Sequence, residues 1–436
     1  MTAQFLAIAL VSLVAIGSLG SSAISSAASE AASTTASEPR STAATSDARS
    51  RVDRGRYLAH LGDCDACHTA DGGKAFAGGL PMDTGFGPIY TPNITPDRET
   101  GIGTWSKDDF YRALHTGHDD AGKHLYPALP YPWFTKATRE DIDAMKDYFD
   151  SVAPVHQPNK PPELAWWMSW RATLAGWNLL YFDEGTFEPD PQKSAEWNRG
   201  AYIVEGLGHC GDCHTPKSYF GGARRKDALS GGYTEGGLHN GWFAPSLRGE
   251  RGAGLGDWSE ADIALYLKTG ANARTAAAGP MAEAVTKSTR YYNDADLAAV
   301  AVYLKSLAPL HGETPVQSID SAALARGEGL FIDNCVACHM NDGGGIAHVF
   351  PALMGSSAIQ AREPASVVRV VLAGAAIPAA PGQSSYLAMP AFGRKLDDQE
   401  VADVATYIRN AWGNRASIVD AGFVAKSRKA LAAAKE

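Results

Sequence analysis

No cysteine in this 436-residue chain stands alone: the six that exist fall into three groups of one pattern, and no thiol is left over. Basic residues are also scarce. Against 48 Asp and Glu there are 39 Lys and Arg, and the resulting net charge of −9 offers no basic face for nucleic acid. A dinucleotide fingerprint is missing too, because Gly221-Gly222 and Gly343-Gly344-Gly345 lack the strand-glycine-helix context such a site needs. Long apolar runs are confined to Phe5 to Leu19, which is shorter than the ~20 residues that span a bilayer. That run has the length of an export-signal core, with an uncleaved anchor as the alternative, although no Lys or Arg precedes it. Residues 21 to 50 are largely Ala, Ser and Thr and have too little to bury, so residues 1–50 read as signal peptide and disordered tether.

The cysteine groups are Cys64-Asp65-Ala66-Cys67-His68, Cys210-Gly211-Asp212-Cys213-His214 and Cys335-Val336-Ala337-Cys338-His339. A redox dithiol has no obligatory following histidine, and a zinc site needs four converging ligands. C-x-x-C-H is instead the spacing of c-type haem attachment. Two thiols on a short helical turn bond to the two vinyl groups of one porphyrin, and the adjacent imidazole faces the iron. Cys64, Cys67, Cys210, Cys213, Cys335 and Cys338 are thus the expected attachment points of three covalently bound haem c groups, with His68, His214 and His339 as iron ligands. Thiols committed in this way suit an oxidising compartment outside the cytoplasm.

Alignment on these motifs exposes a long internal repeat. Before each comes a helical segment opening Arg-Gly: Arg54-Gly55-Arg56-Tyr57, Arg199-Gly200-Ala201-Tyr202 and Arg326-Gly327-Glu328-Gly329. Small residues at helical spacing suit a close crossing of two helices. After each motif comes Pro92-Asn93-Ile94, Pro245-Ser246-Leu247 or Pro351-Ala352-Leu353, whose proline carbonyl can accept the Nδ1 proton of the haem histidine. A middle helix opens at Ser106 or Ser259 with Asp109 or Asp262 three residues on, close to a capping box, and stops at Gly117 or Gly270. Its third counterpart runs from Pro364 to Gly374. Closing helices cover Arg139 to Ser151, Asp294 to Leu307 and Asp397 to Ala411, with Tyr148, Tyr303 and Tyr407 at equivalent places that read as core packing against the leading helix, with direct electron relay as the alternative.

These elements resemble the small cytochrome c fold, so the expected class is all-α with three tandem domains over residues 51–155, 191–312 and 318–415. A connector over 156–190 holds Trp166, Trp167, Trp170 and Trp177, which read either as packing between domains or as a patch for a partner or membrane surface. The tail, 416–436, reads as an amphipathic helix on a membrane surface or as a frayed, solvated end.

The second axial ligand largely sets the potential, and a methionine thioether raises it. Met389 in Ala388-Met389-Pro390 and Met281 in Gly279-Pro280-Met281 lie where the third and second haems need one. In the first repeat Leu125-Tyr126-Pro127-Ala128-Leu129 puts Leu129 at that place, and leucine cannot ligate iron. Three options remain for that haem: no protein ligand, a histidine from His115, His118 or His124, or Met82. An open or histidine-ligated iron is favoured, at the low end of the three potentials. Met145, Met168, Met340 and Met354 read as packing residues.

Together with the blocks Thr91-Pro92-Asn93-Ile94-Thr95-Pro96-Asp97 and Leu125-Tyr126-Pro127, the three domains make the chain similar to the triple-haem cytochrome c subunits of membrane-bound periplasmic dehydrogenases. The resemblance implies a subunit with no catalytic residues of its own. It implies a separate dehydrogenase partner of PQQ, flavin or molybdenum type that oxidises an alcohol, sugar, sugar acid or aldehyde. It also implies ubiquinone or a terminal oxidase as acceptor, and a place on the membrane surface. Two other functions compete: an open first haem acting on peroxide or a nitrogen oxide, and a free multihaem shuttle.

Overall fold

The computed structural model describes residues 40–234, 241–312, 318–347, 349–376 and 388–433. The export signal and most of the tether lie outside these residues. The leading helix of the first segment begins at Arg40, so residues 40–50, expected to be tether, are helical. Residues from Ser46 onward form one compact unit.

Three sets of helices repeat along it. Leading helices cover Arg40–Leu61, Ala195–Glu205 and Ser321–Asn334, middle helices Lys107–Thr116, Glu260–Thr269 and Ala365–Ala373, and closing helices Arg139–Ser151, Asp294–Lys305 and Asp398–Asn410. The middle helices start where the sequence says they should. Ser106 and Ser259 form complete capping boxes with Asp109 and Asp262, and Gly117 (φ 69°) and Gly270 (φ 81°) end the helices in the left-handed region. Among the described residues strand is limited to three two-stranded antiparallel pairs, with Met82 opposite Ile89, Tyr233 opposite Phe243 and Ala375 opposite Met389.

Leading and closing helices cross at glycine in all three sets. A Cβ on Gly55 would sit 1.9 Å from the Ala144 carbonyl oxygen, one on Gly200 2.0 Å from that of Ala299, and one on Gly327 2.4 Å from that of Asp403. Tyr148, Tyr303 and Tyr407 close the same crossings from the other helix. Each crossing is tied by an ion pair: Arg54 to Asp141 (2.5 Å), Arg199 to Asp296 (2.7 Å) and Arg326 to Asp403 (2.6 Å).

The first two segments share one apolar core, which includes Leu58, Leu61, Ile142 and Phe149 of the first and Ile203, Val204, Val300 and Leu304 of the second. Their contacts are reciprocal. Tyr57 donates to Asp296 (2.6 Å) and accepts from the Asn293 backbone (3.2 Å), while Tyr202 donates to Asp141 (2.6 Å) and accepts from the Thr138 backbone (3.1 Å). This is the pattern of a two-fold interface, in which each partner offers the same patch. The position three residues beyond Arg326 holds Gly329 instead of tyrosine, and the third segment has its own core around Phe331, Val368, Val404 and Val424. It docks on the second through its middle helix: the Ser366 hydroxyl bonds to both backbone groups of Phe243, and the Arg369 guanidinium lies over the Trp242 ring.

The described part of the tail is packed and not frayed. Ala421–Ala433 is a helix that buries Val424 and Leu431, and Arg428 ties it to Asp398 at 2.7 Å and to the Leu396 carbonyl at 2.9 Å. Arg409 is fully buried and donates to the carbonyls of Ile359, Ala361 and Ser417, which anchors the chain leading into that helix.

The connector holds a helix, Thr173–Tyr181, and its tryptophans divide. Trp177 packs on Tyr131 and donates to the Phe220 carbonyl at 2.9 Å, so it joins the first segment to the second, and Trp167 meets Phe86 edge to face. Trp166 and Trp170 are 82% and 73% exposed.

Candidate functional site

Each cysteine motif forms a short helical turn: Cys64–His68, Cys210–His214 and Val336–His339. Asp63 (φ 51°) and His209 (φ 34°) enter the first two turns in the left-handed region, a conformation non-glycine residues hold only under constraint. All six cysteines are partly covered. Burial pushes the Cys64 thiol far up and those of Cys210 and Cys335 to about 11. Such thiols are poor thiolates, which argues against dithiol redox chemistry.

The three histidines are oriented alike. Nδ1 of His68 lies 2.7 Å from the Pro92 oxygen, that of His214 2.7 Å from Pro245, and that of His339 3.0 Å from Pro351. A carbonyl only accepts, so Nδ1 carries the proton and Nε2 keeps its lone pair. Burial lowers the pKa of all three, which also favours the neutral ring. A neutral imidazole with a fixed tautomer is what an iron ligand requires.

A cavity of about 580 Å³ brings two predicted sets together. Cys210, Cys213, His214 and Met281 line it together with Cys335, Cys338, His339 and Met389. Its walls are mainly hydrocarbon, among them Leu247, Ile263, Leu267, Val371 and Phe392. Met281 stands in the first turn of a helix, Pro280–Lys287, and Met389 in a short strand. From the first set Cys67 reaches the same space, and so does Met82. Leu129 packs instead against the shared core of the first two segments, as Cys64 does. Of the other methionines Met145 is buried, whereas Met354 is 44% exposed.

Other contacts around these turns were not readable in the sequence. Gly211 lies under the Trp133 ring of the first segment, where a Cβ would come within 2.2 Å of the indole. In return Lys287 of the second segment pairs with Asp65 in the first turn at 2.6 Å. Each attachment turn therefore touches the other segment, just beyond Leu129 in one direction and Met281 in the other.

Paired thiols, a tautomer-fixed imidazole and an apolar space with an opposing thioether fit a covalently attached haem. Where all four are present, the thiols would hold its edge and His214 with Met281, or His339 with Met389, its iron.

Comparison with known proteins agrees. The family model for cytochrome c matches residues 198–308 and 324–412. The gluconate 2-dehydrogenase cytochrome c subunit of Pantoea cypripedii is 42% identical over 397 residues, covering 87% of this chain and 89% of its own. The cytochrome c subunit of the quinone alcohol dehydrogenase of Gluconacetobacter polyoxogenes is 40% identical over 400 residues, covering 88% and 86%. The fructose dehydrogenase cytochrome subunit of Gluconobacter japonicus is 33% identical over 411 residues, covering 87% and 83%. With its mostly helical repeats and oriented histidines, the chain belongs to the cytochrome c subunits of dehydrogenase complexes, components that transfer electrons and leave substrate oxidation to a partner.

Proposed function

We propose that this subunit carries electrons through three covalently attached haems, from a periplasmic dehydrogenase to ubiquinone or a terminal oxidase. The observation that carries the relay is the single cavity in which the second and third ligand sets face one space. The contact of each of the first two attachment turns with the other segment extends the same argument to the first haem.

When bound, each haem supplies a one-electron ferric/ferrous couple. The rest falls to the chain's own side chains. Cysteine thioethers fix position, the proline carbonyls hold the histidine rings, Met281 and Met389 favour the ferrous state, and hydrocarbon walls keep water away. The named relatives support a partner that oxidises an alcohol, a sugar or a sugar acid.

Attachment to a membrane surface is supported by the exposed Trp166, Trp170, Leu179, Leu180, Tyr219 and Phe220, with the exposed basic run Arg224-Arg225-Lys226 beside them. Among the described residues no helix is long and apolar enough to cross a membrane.

Intact mass of the exported chain, followed by rapid mixing of the native complex with the partner's substrate, tests the reading. Three added haems, all reduced within one turnover time, are expected. Fewer than three, or a chain that purifies from native membranes with no dehydrogenase, would overturn it.

A further inference from the structure

The first haem set differs from the other two in one residue, and backbone hydrogen bonds give the register. In the second segment the Ala277 amide donates to the carbonyl of the helix-ending Gly270 at 2.7 Å, and Met281 follows four residues later. In the first segment the Leu125 amide donates to the helix-ending Gly117 at 2.7 Å, and the residue four later is Leu129. The bridge just before is also shared: His118 faces His124 as Ala271 faces Ala276. Leu129 thus holds the backbone place of Met281, with a hydrocarbon end in place of sulfur.

Two of the other donors of the first segment, His115 and His118, are engaged elsewhere. Nδ1 of His115 is 3.5 Å from the Thr135 hydroxyl and Nε2 3.9 Å from Glu184, with the ring stacked on Tyr111. His118 bonds through Nδ1 to Thr116, and its ring packs on that of His124 at 4.3 Å. Met82 stands in a strand opposite Ile89 and lines the space that Cys67 shares with the second and third sets, so it is the competing thioether. His124 is the sharpest competitor. Its Nδ1 is buried without a hydrogen-bond partner, and in the third segment Met389 itself holds the place opposite the residue after the helix-ending glycine. The first segment, however, shares with the second the added turn after the bridge, which sets His124 at the position of Ala276.

We infer that the first haem centre is ligated by His68 alone among protein groups, and that on its Leu129 side it takes a small neutral diatomic of the carbon monoxide or nitric oxide kind. The inference rests on the reading that Cys64, Cys67 and His68 hold a haem. Such a ligand donates a lone pair to ferrous iron with no change in oxidation state of either. It needs no proton or hydrogen-bond donor, and Leu129 offers none.

The test uses the full chain, first shown by mass to carry three haems, and titrates the reduced protein with carbon monoxide. One molecule bound per chain is expected, with one of the three ferric haems high-spin by electron paramagnetic resonance. Leu129→Met should abolish the binding and turn that signal low-spin. Three haems with no carbon monoxide bound would overturn the inference, and recovery of binding in His124→Ala or in Met82→Ala would then name the ligand. Binding that persists in Leu129→Met would also overturn it, whereas a mass short of three haems would sink the attachment reading beneath it. Nitric oxide in place of carbon monoxide should give the same stoichiometry.

Discussion

Tyr57 donates to Asp296 at 2.6 Å across 239 residues of sequence, and Tyr202 returns the bond to Asp141 at 2.6 Å. Each carboxylate is already paired within its own segment, to Arg199 and Arg54, so each tyrosine adds a second segment to an existing clamp. A hydrogen bond to a charged, largely buried acceptor contributes on the order of 1.5–3 kcal/mol. Tyr57→Phe and Tyr202→Phe should each lower stability by about 1–2 kcal/mol in denaturant unfolding, and by similar amounts because the sites are equivalent. A loss at one site with none at the other would contradict the reciprocity.

The helix crossings predict opposite outcomes for two glycines. At Gly200 an added methyl would meet the Ala299 carbonyl at 2.0 Å, so Gly200→Ala should cost on the order of 3 kcal/mol or more through forced separation of the helices. Gly176 lies inside the helix Thr173–Tyr181 with nothing within 4 Å of such a methyl, and Gly176→Ala should stabilise by about 0.5–1 kcal/mol. Thermal melts of the two variants check the contrast.

Burial alone would raise the Asp296 pKa, but hydrogen bonds from Arg199 and Tyr57 outweigh it and hold the carboxyl below its ordinary range. A depressed folded pKa stabilises at pH above the unfolded value of about 3.9, and that contribution disappears as pH falls through the folded value. The stability gap between the parent and Asp296→Asn should therefore hold from neutral pH to about pH 5 and shrink below pH 4. A gap unchanged at pH 2.5 would show that the charge plays no part.

Met281→Ala removes a thioether from the cavity wall. Axial ligands span a potential range of about 0.8 V, and loss of sulfur should lower one midpoint potential by on the order of 0.1 V while two stay put. Potentiometric titration with optical detection measures all three, and three unmoved potentials would exclude Met281 as a ligand.

Trp166→Ser with Trp170→Ser should weaken co-sedimentation with anionic lipid vesicles while leaving the unfolding midpoint within about 0.5 kcal/mol of the parent, as expected for exposed positions. Unchanged sedimentation would move the membrane contact elsewhere.

Most of the scaffold was legible because local rules dictate it. Ser106 with Asp109, Ser259 with Asp262 and the glycines at 117, 270 and 374 mark helix ends to within about a residue, and arginine-glycine marks each crossing. The histidine-carbonyl bonds followed from the spacing of Pro92, Pro245 and Pro351. Partners chosen by tertiary contact left no such trace. Tyr57 on a helix face reads as core, and nothing in its neighbourhood names Asp296. Lysines and arginines in an alanine-rich tail read as solvated, yet Arg428 finds Asp398 and two backbone carbonyls. Trp166 and Trp177 share a composition but not a fate, because only Trp177 meets the turn at Phe220.

Because Tyr57 and Tyr202 each reach across and not inward, the bonds uniting the first two segments do not depend on the peptide between them. A chain nicked within the connector should stay together as two tightly associated fragments that co-elute and come apart in denaturant. Covalent continuity there sets stoichiometry, and the shared core with its exchanged phenols supplies the adhesion.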